Sequence, residues 1–380
     1  MRAVSYTVAI ILMLVSIDVR GAIFVPLGDL AGGGFYSRAM AVSADGRVVV
    51  GQSTSSFGDE AFRWENGTMM GIGDLPDGIF SSDALGISGD GSVIVGVGTG
   101  LGNASIAFRW ESGTMTGLGF LPGGGFSSRA TGVSTDGSVV IGNSHVSGVG
   151  ALSFRWEAGV MDPLSIPSGA IATNATGISS DATAISGNVQ IGGQILATRW
   201  DNNVPTLLGG LSTSHDNIAR AISGNGLVVV GDSGFGSSGE TEAIRWIGSQ
   251  LTGLGDLPGG NFFSVALAAS IDGSVIVGRG ESSIGYETFI WRQSTGIQNL
   301  RELLISQGVG NLGNWRLEQA NGISADGNVI VGWGINPDGK NEAWMVNLNP
   351  VPEPASLAIW GGIGIVGLIA GWRRRRPMGQ

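Results

Sequence analysis

The 380-residue sequence contains no cysteine, which removes a disulfide framework, a thiolate metal site and a cysteine nucleophile together. Histidine is almost as scarce. His145 and His215 are too few for a multi-histidine centre, and neither has a nearby carboxylate pattern that suggests a triad. Both fall in segments that read as surface loops. Charge is sparse too, at 13% of residues against about 25% in an ordinary soluble protein. Hydrophobic residues make up 42%, enough for a large core, so intrinsic disorder is excluded. What is abundant is glycine, with 68 residues; joined to 12 prolines it would signal low complexity if it followed no period.

The two ends do not read as part of the fold. Arg2 precedes a ten-residue apolar run, Val8 to Ile17, followed by the small residues Gly21 and Ala22. Such a run suits an export signal and is too short to span a bilayer, so residues 1–22 are expected to be a signal peptide. At the other end, Val351-Pro352-Glu353-Pro354 leads into Ala355 to Trp372, eighteen residues without a charge. As a helix this run is about 27 Å long, enough to cross a hydrocarbon core. Arg373, Arg374, Arg375 and Arg376 follow and would hold that end on the cytoplasmic side.

A Val-Pro-Glu-Pro segment, an apolar helix and an arginine cluster in this order resemble the PEP-CTERM sorting tail of Gram-negative bacteria. The resemblance implies that Pro352, Glu353, Pro354 and Arg373 to Arg376 act as a sorting signal. It implies transient residence in the inner membrane and recognition by an exosortase-type membrane protease. Removal of the helix, with release or anchoring at the cell surface, would follow. A tail that stays in place as a permanent anchor is the alternative.

Without the two ends, residues 22–349 carry a net charge near −14. That excludes the basic stripe a nucleic-acid surface needs. Inside this stretch one unit occurs seven times. Its first marker is Ser-x-Asp-Gly, with Asp45, Asp90, Asp136, Asp181, Asn225, Asp272 and Asp326 spaced by 45, 46, 45, 44, 47 and 54 residues. Its second marker is Phe-Arg-Trp or a variant, with Trp64, Trp110, Trp156, Trp200, Trp246 and Trp291; in the seventh copy Trp344 takes the Phe register. Each unit reads as four short strands. Strand A ends at the Asp-Gly pair, the strongest two-residue hairpin signal. Strand B is the Val-Val-Val-Gly type, strand C is Glu-Ala-Phe-Arg-Trp, and strand D follows a turn such as Glu65-Asn66-Gly67. A Gly-Asp-Leu-Pro-Gly-Gly crossover (Gly255 to Gly260) leads to the next unit.

Four antiparallel strands in about 45 residues is the size of a propeller blade. Ile23 to Leu30 look like a strand D without A, B or C, and the seventh unit stops near Asn349 without a D. The expected fold is therefore an all-β, seven-bladed propeller over residues 23–349, closed by the N-terminal strand. A C-terminal transmembrane helix follows at 355–372 within the tail 350–380. An open β-solenoid is the alternative. The repeats resemble the extracellular HAF-type repeat family, which implies secretion and a surface location and brings no established activity.

The Asp-Gly turns and the Arg-Trp pairs read as structural, and no catalytic, cofactor-binding or metal-binding residue is assigned. Glu60, Glu242, Glu287 and Glu342 recur at the start of strand C. They read as a solvated rim, with weak Ca²⁺ binding the only cofactor reading left open. The crossover at 292–318 is longer than the others. There Asn299-Leu300-Arg301-Glu302 predicts a short amphipathic helix over 299–307, covering the sheet edge near closure. The functional expectation is a non-enzymatic surface or matrix propeller binding polysaccharide or a surface protein. The alternative is a secreted glycoside hydrolase or polysaccharide lyase, which would need opposed carboxylates in one site.

Overall fold

The computed structural model describes residues 21–236 and 239–349. In the first repeat Gly32–Val42, Val48–Ser55, Gly58–Glu65 and Thr68–Gly71 form strands A to D of one antiparallel sheet. The pattern returns through the chain as a β-propeller of such blades. The last blade joins Arg316–Ile323, Val329–Ile335 and Asn341–Asn347 to the leading strand Ile23–Gly28. Blades two and three, and five and six, are further tied by single parallel bridges at Ser105–Ser127 and Thr241–Phe263.

Closure happens twice. On the outside, Ile23, Phe24, Val25 and Pro26 pair antiparallel with Asn347, Val346, Met345 and Trp344. On the inside, one residue of each Ser-x-Asp-Gly turn, the variable one except in the fifth blade, links to the next blade. The Ala44 amide donates to the Gly89 carbonyl, Gly89 to Thr135, Thr135 to Ser180 and Ser180 to Gly224. Asn225 then donates to Ile271, Ile271 to Ala325 and Ala325 back to Ala44. An open solenoid has no such circuit, since its two end repeats do not meet.

The valine runs explain the packing. Neighbouring strand residues face opposite sides. Val49 joins a core cluster shared with the seventh blade, and Val50 joins one shared with the second. Seven clusters of buried residues occur, one at each junction between blades. Phe62 and Trp64 enter the same cluster as Val49, while Arg63 lies on the other face and pairs with Glu65 at 2.8 Å. Trp344 pairs with Gly332 as Phe62 does with Gly51, so it does occupy the Phe register.

The hairpins differ from expectation. The Asp-Gly pair is not a two-residue loop, because only the glycine has positive φ (Gly46, +77°). The Gly46 amide donates to the Ser43 carbonyl, giving a type I turn inside a four-residue loop closed by the Ser43–Val48 pair. The Ser43 hydroxyl donates to Asp45 Oδ1 at 2.7 Å and accepts from the Val48 amide at 3.0 Å. The two-residue loops are instead the C–D turns, where Asn66 and Gly67 both have positive φ (51° and 81°). In the fourth blade Ala182 occupies the turn glycine's place with φ of +58°. A side chain there costs about 1 kcal/mol, so Ala182→Gly should raise unfolding stability by about that amount in urea titration. An unchanged or lower midpoint would refute it.

The predicted helix is present as Leu300–Ser306, with the Asn299 side chain accepting from the Glu302 amide. Leu300 and Leu304 are buried in one cluster with Phe24, Trp315 and Leu348, so the insertion covers the closing strand. The Asn311 side-chain amide donates to the Phe24 carbonyl at 2.9 Å. The signal segment up to residue 20, the sorting tail 350–380 and its helix 355–372 lie outside the described residues. Among the described residues no helix is long and apolar enough to cross a membrane.

Candidate functional site at the channel mouth

Strand A of every blade lines a central channel, and its register is set by one small residue. Ala39, Ala84, Ala130, Ala175, Ala219, Ala266 and Ala320 are all fully buried. Each pairs with a strand B glycine, as Ala39 does with Gly51. The next residue is then skipped by the ladder, because Ala41 rather than Met40 pairs with Val50. The same irregularity recurs in all seven blades. A β-bulge leaves one residue unpaired and re-aims its side chain. The seven unpaired residues are Met40, Leu85, Thr131, Thr176, Arg220, Leu267 and Asn321, and all seven line one cavity of about 750 Å³.

These positions break the symmetry that the rest of the repeat keeps. So does the residue before each alanine: Arg38, Asp83, Arg129, Asn174, Ile218, Val265 and Gln319. Their strand B partners also vary: Gln52, Val97, Asn143, Asn188, Asp232, Arg279 and Trp333. Five or six residue types among seven copies of one repeat position cannot all be dictated by the fold. This differs from the Asp-Gly position, where all but one copy keep Asp for one hydrogen-bond pattern. These positions carry no repeated residue, and their signal in the sequence is variation beside an invariant alanine.

The polar groups form two charged arcs. Asp83 lies 3.6 Å from Arg129, and Arg38 also acts on its carboxylate. Burial outweighs both arginines and pushes the Asp83 carboxyl up to about 6. Across the ring, Arg220 Nε donates to Asp232 Oδ1 at 2.7 Å, and burial again raises the carboxyl more than the arginine lowers it. Arg38 lies over the Trp333 ring at 4.4 Å and near Tyr36 at 5.1 Å. Arg279 lies over Tyr286 at 4.6 Å and donates to Gln319 Oε1 at 3.3 Å. Between these arcs Asn143 and Asn188 act structurally. The Ala175 and Ala219 amides donate to their side-chain oxygens, each at 2.8 Å.

Other expected residues fall elsewhere. The four glutamates are not a solvated rim. Glu60, Glu287 and Glu342 are buried, and Glu242 is half-buried. Glu60 accepts from the Gly73 amide at 3.0 Å, Glu242 from Gly255 at 3.0 Å and Glu342 from Gly28 at 3.1 Å. Each fastens the start of a crossover or its N-terminal counterpart. These three carboxylates serve separate crossovers rather than gathering at one point, and Glu342 also accepts from the Asn336 side chain at 2.9 Å. His145 is not in a loop but is exposed on the strand Val139–Val146. His215 precedes its strand and lies 3.0 Å from the Ser212 and Ser214 hydroxyls. Among the described residues no group of three or more His, Asp or Glu is placed to hold a metal ion.

The turn and channel carboxylates titrate in opposite directions. Hydrogen bonds from Ser134 and Ser138 hold Asp136 down at about 2, and those from Ser92 and Ser88 lower Asp90. A lowered folded value gives stability present above the unfolded value near 3.9 and lost as pH falls through the folded one. Asp83 does the reverse, holding its proton longer when folded, so stability falls as pH rises from about 4 to about 6. Unfolding stability should therefore peak near pH 4. Asp83→Asn should flatten the upper limb and leave the acid limb intact. A variant with an unchanged slope between pH 4 and 6 would contradict the assignment.

No family model matches the chain, and no curated protein does. Solved structures show the fold. The oligogalacturonate lyase of Vibrio parahaemolyticus is similar with a TM-score of 0.58 and 9% identity, over 83% of this chain and 92% of that one. The β-propeller domain of the Trilobed protease from Pyrococcus furiosus is similar at 0.54 and 10%, over 84% and 99%. TolB from Acinetobacter baumannii matches at 0.45 and 12% over 72% of this chain, which spans 62% of the length of that protein. At these identities the likeness is one of fold: this chain is built as a β-propeller.

Proposed function

We propose that this chain is an exported propeller of the cell surface or extracellular matrix that binds polysaccharide at the channel mouth without transforming it. One observation carries the reading: the bulged residues, which vary between repeats, line the channel, while those that repeat are used up in turns, crossovers and cores. Side chains in an open, partly polar cavity are free to meet a ligand. In the same proposal the tail at 351–376 directs the chain to an exosortase-type protease at the inner membrane, and residues 1–22 direct export. A glycan array probed with the purified chain tests the binding role. Selective retention of a subset of polysaccharides is expected, and no selective binding at high protein concentration would overturn it.

The second reading is a carbohydrate-active enzyme on the same propeller. It draws on Asp83, a mostly buried carboxyl beside two arginines, and on a fold shared with an oligogalacturonate lyase. Asp59 also acts on the Asp83 carboxyl and is a candidate for the second carboxylate that such chemistry needs. Incubation with acidic and neutral polysaccharides, followed by detection of reducing or unsaturated ends, decides it. New ends that disappear in Asp83→Asn would support catalysis, and their absence would dismiss it.

A further inference from the structure

We infer that the channel mouth recognises a carboxylate-bearing saccharide, with Arg38 and Arg129 binding the carboxylate and Asp83 accepting from a neighbouring hydroxyl. The inference rests on the polysaccharide reading and names its chemical class. Arg38, Asp83 and Arg129 occupy the same repeat position in three successive blades, so cation, anion and cation alternate round one side of the mouth. The body of the protein is strongly acidic, yet Arg129 and Arg220 line this channel, and Arg38 and Arg279 stand on the repeat positions beside the bulge.

One atom in each of two of these groups lacks a partner. Five buried side-chain atoms among the described residues have no hydrogen-bond partner, and Arg38 Nε and Asp83 Oδ1 are two of them. Those two atoms are sealed from solvent, whereas the Asp83 side chain is 22% exposed and Arg38 is half-buried, so a ligand meets the other polar atoms of the pair. Arg38 sits over the Trp333 ring, and a guanidinium carries parallel donors suited to a planar carboxylate. The arginine pair selects a carboxylate, and the acceptor between them selects a ligand that also carries hydroxyl groups. A uronic acid unit has both.

Calorimetric titration of the full-length chain with tetragalacturonate, its methyl ester and cellotetraose tests this. Tetragalacturonate should bind at least about tenfold more tightly than the other two, and its affinity should fall with added salt. Arg38→Gln and Arg129→Gln should each cost about tenfold or more. Arg38→Lys, which keeps the charge but loses the flat fork, should cost nearly as much. A variant counts only if its thermal midpoint stays within a few degrees of the parent; for one that does not, tetragalacturonate protection of Arg38 from a guanidinium-modifying reagent in the parent replaces it. Equal affinity for the three saccharides, or binding indifferent to the variants, would overturn this inference and leave the polysaccharide reading standing. Failure of all saccharides to bind would remove both.

Discussion

Phe24→Ala should destabilise the protein by about 3–5 kcal/mol, the range for emptying a buried phenylalanine site. Phe24 is only 3% exposed and meets Trp315 edge-on at a centroid distance of 5.1 Å. It sits on the leading strand, which contributes to the last blade from the far end of the sequence. The neighbouring strand Asn341–Asn347 has Val329–Ile335 on its other side, so losing the leading strand exposes a sheet edge. The effect should therefore be local at first. Amide exchange at residues 343–347 should accelerate well before that of the middle blades. An unpaired edge also templates association, so the variant should form dimers or larger species as its concentration rises. Ile23→Ala, on the same strand but 40% exposed, should cost under about 1 kcal/mol. Equal losses for the two variants, or exchange that rises evenly round the ring, would mean that the strand does not close the molecule.

Much of this fold was legible because a repeat makes its own alignment. The spacing of Asp45, Asp90 and Asp136 marked the unit, and Ile23 to Leu30 announced a strand without a blade. The Asn299 cap and Leu300 and Leu304 marked the helix in the long crossover. Other features were not legible. Asp-Gly suggested a two-residue hairpin, but the Ser43 hydroxyl bridges Asp45 and the Val48 amide and so stabilises a longer loop. Glu60 and Glu342 looked solvated because their partners, the Gly73 and Gly28 amides, are remote along the chain or at its far end. The channel residues were hidden for a different reason. Strand periodicity assigns sides by alternation, and a single bulged residue reverses that assignment. Nothing in Ala39-Met40-Ala41 says that Met40 is skipped by the ladder. The clue lies on the partner strand, in Gly51.

Gly51→Ala is accordingly the second large effect. A Cβ built on Gly51 would fall 1.9 Å from the Arg38 carbonyl oxygen, which the bulge tips into the space above the glycine. The obstruction is backbone, so no side-chain rotation relieves it. The counterparts show the same conflict: Gly96 meets the Asp83 carbonyl at 1.9 Å and Gly231 that of Ile218 at 1.8 Å. Either the strand pair separates or the bulge straightens, and in a packed blade junction either costs about 3 kcal/mol or more. Straightening would also return Met40 to the ladder and shift Arg38 away from Trp333. Gly67→Ala provides the contrast. Gly67 has φ of +81° but nothing within 4 Å of its Cβ position, so only the left-handed conformation is penalised, by about 1 kcal/mol. Urea unfolding should rank the two variants in that order. Because the Gly51 change reaches the channel through the bulge, the remaining folded Gly51→Ala protein should also lose saccharide affinity, whereas Gly67→Ala should keep it. If Gly51→Ala proved as stable as Gly67→Ala, strand B would tolerate a side chain opposite the bulge, and the bulge would no longer account for how the seven skipped residues, of five types, come to face one channel.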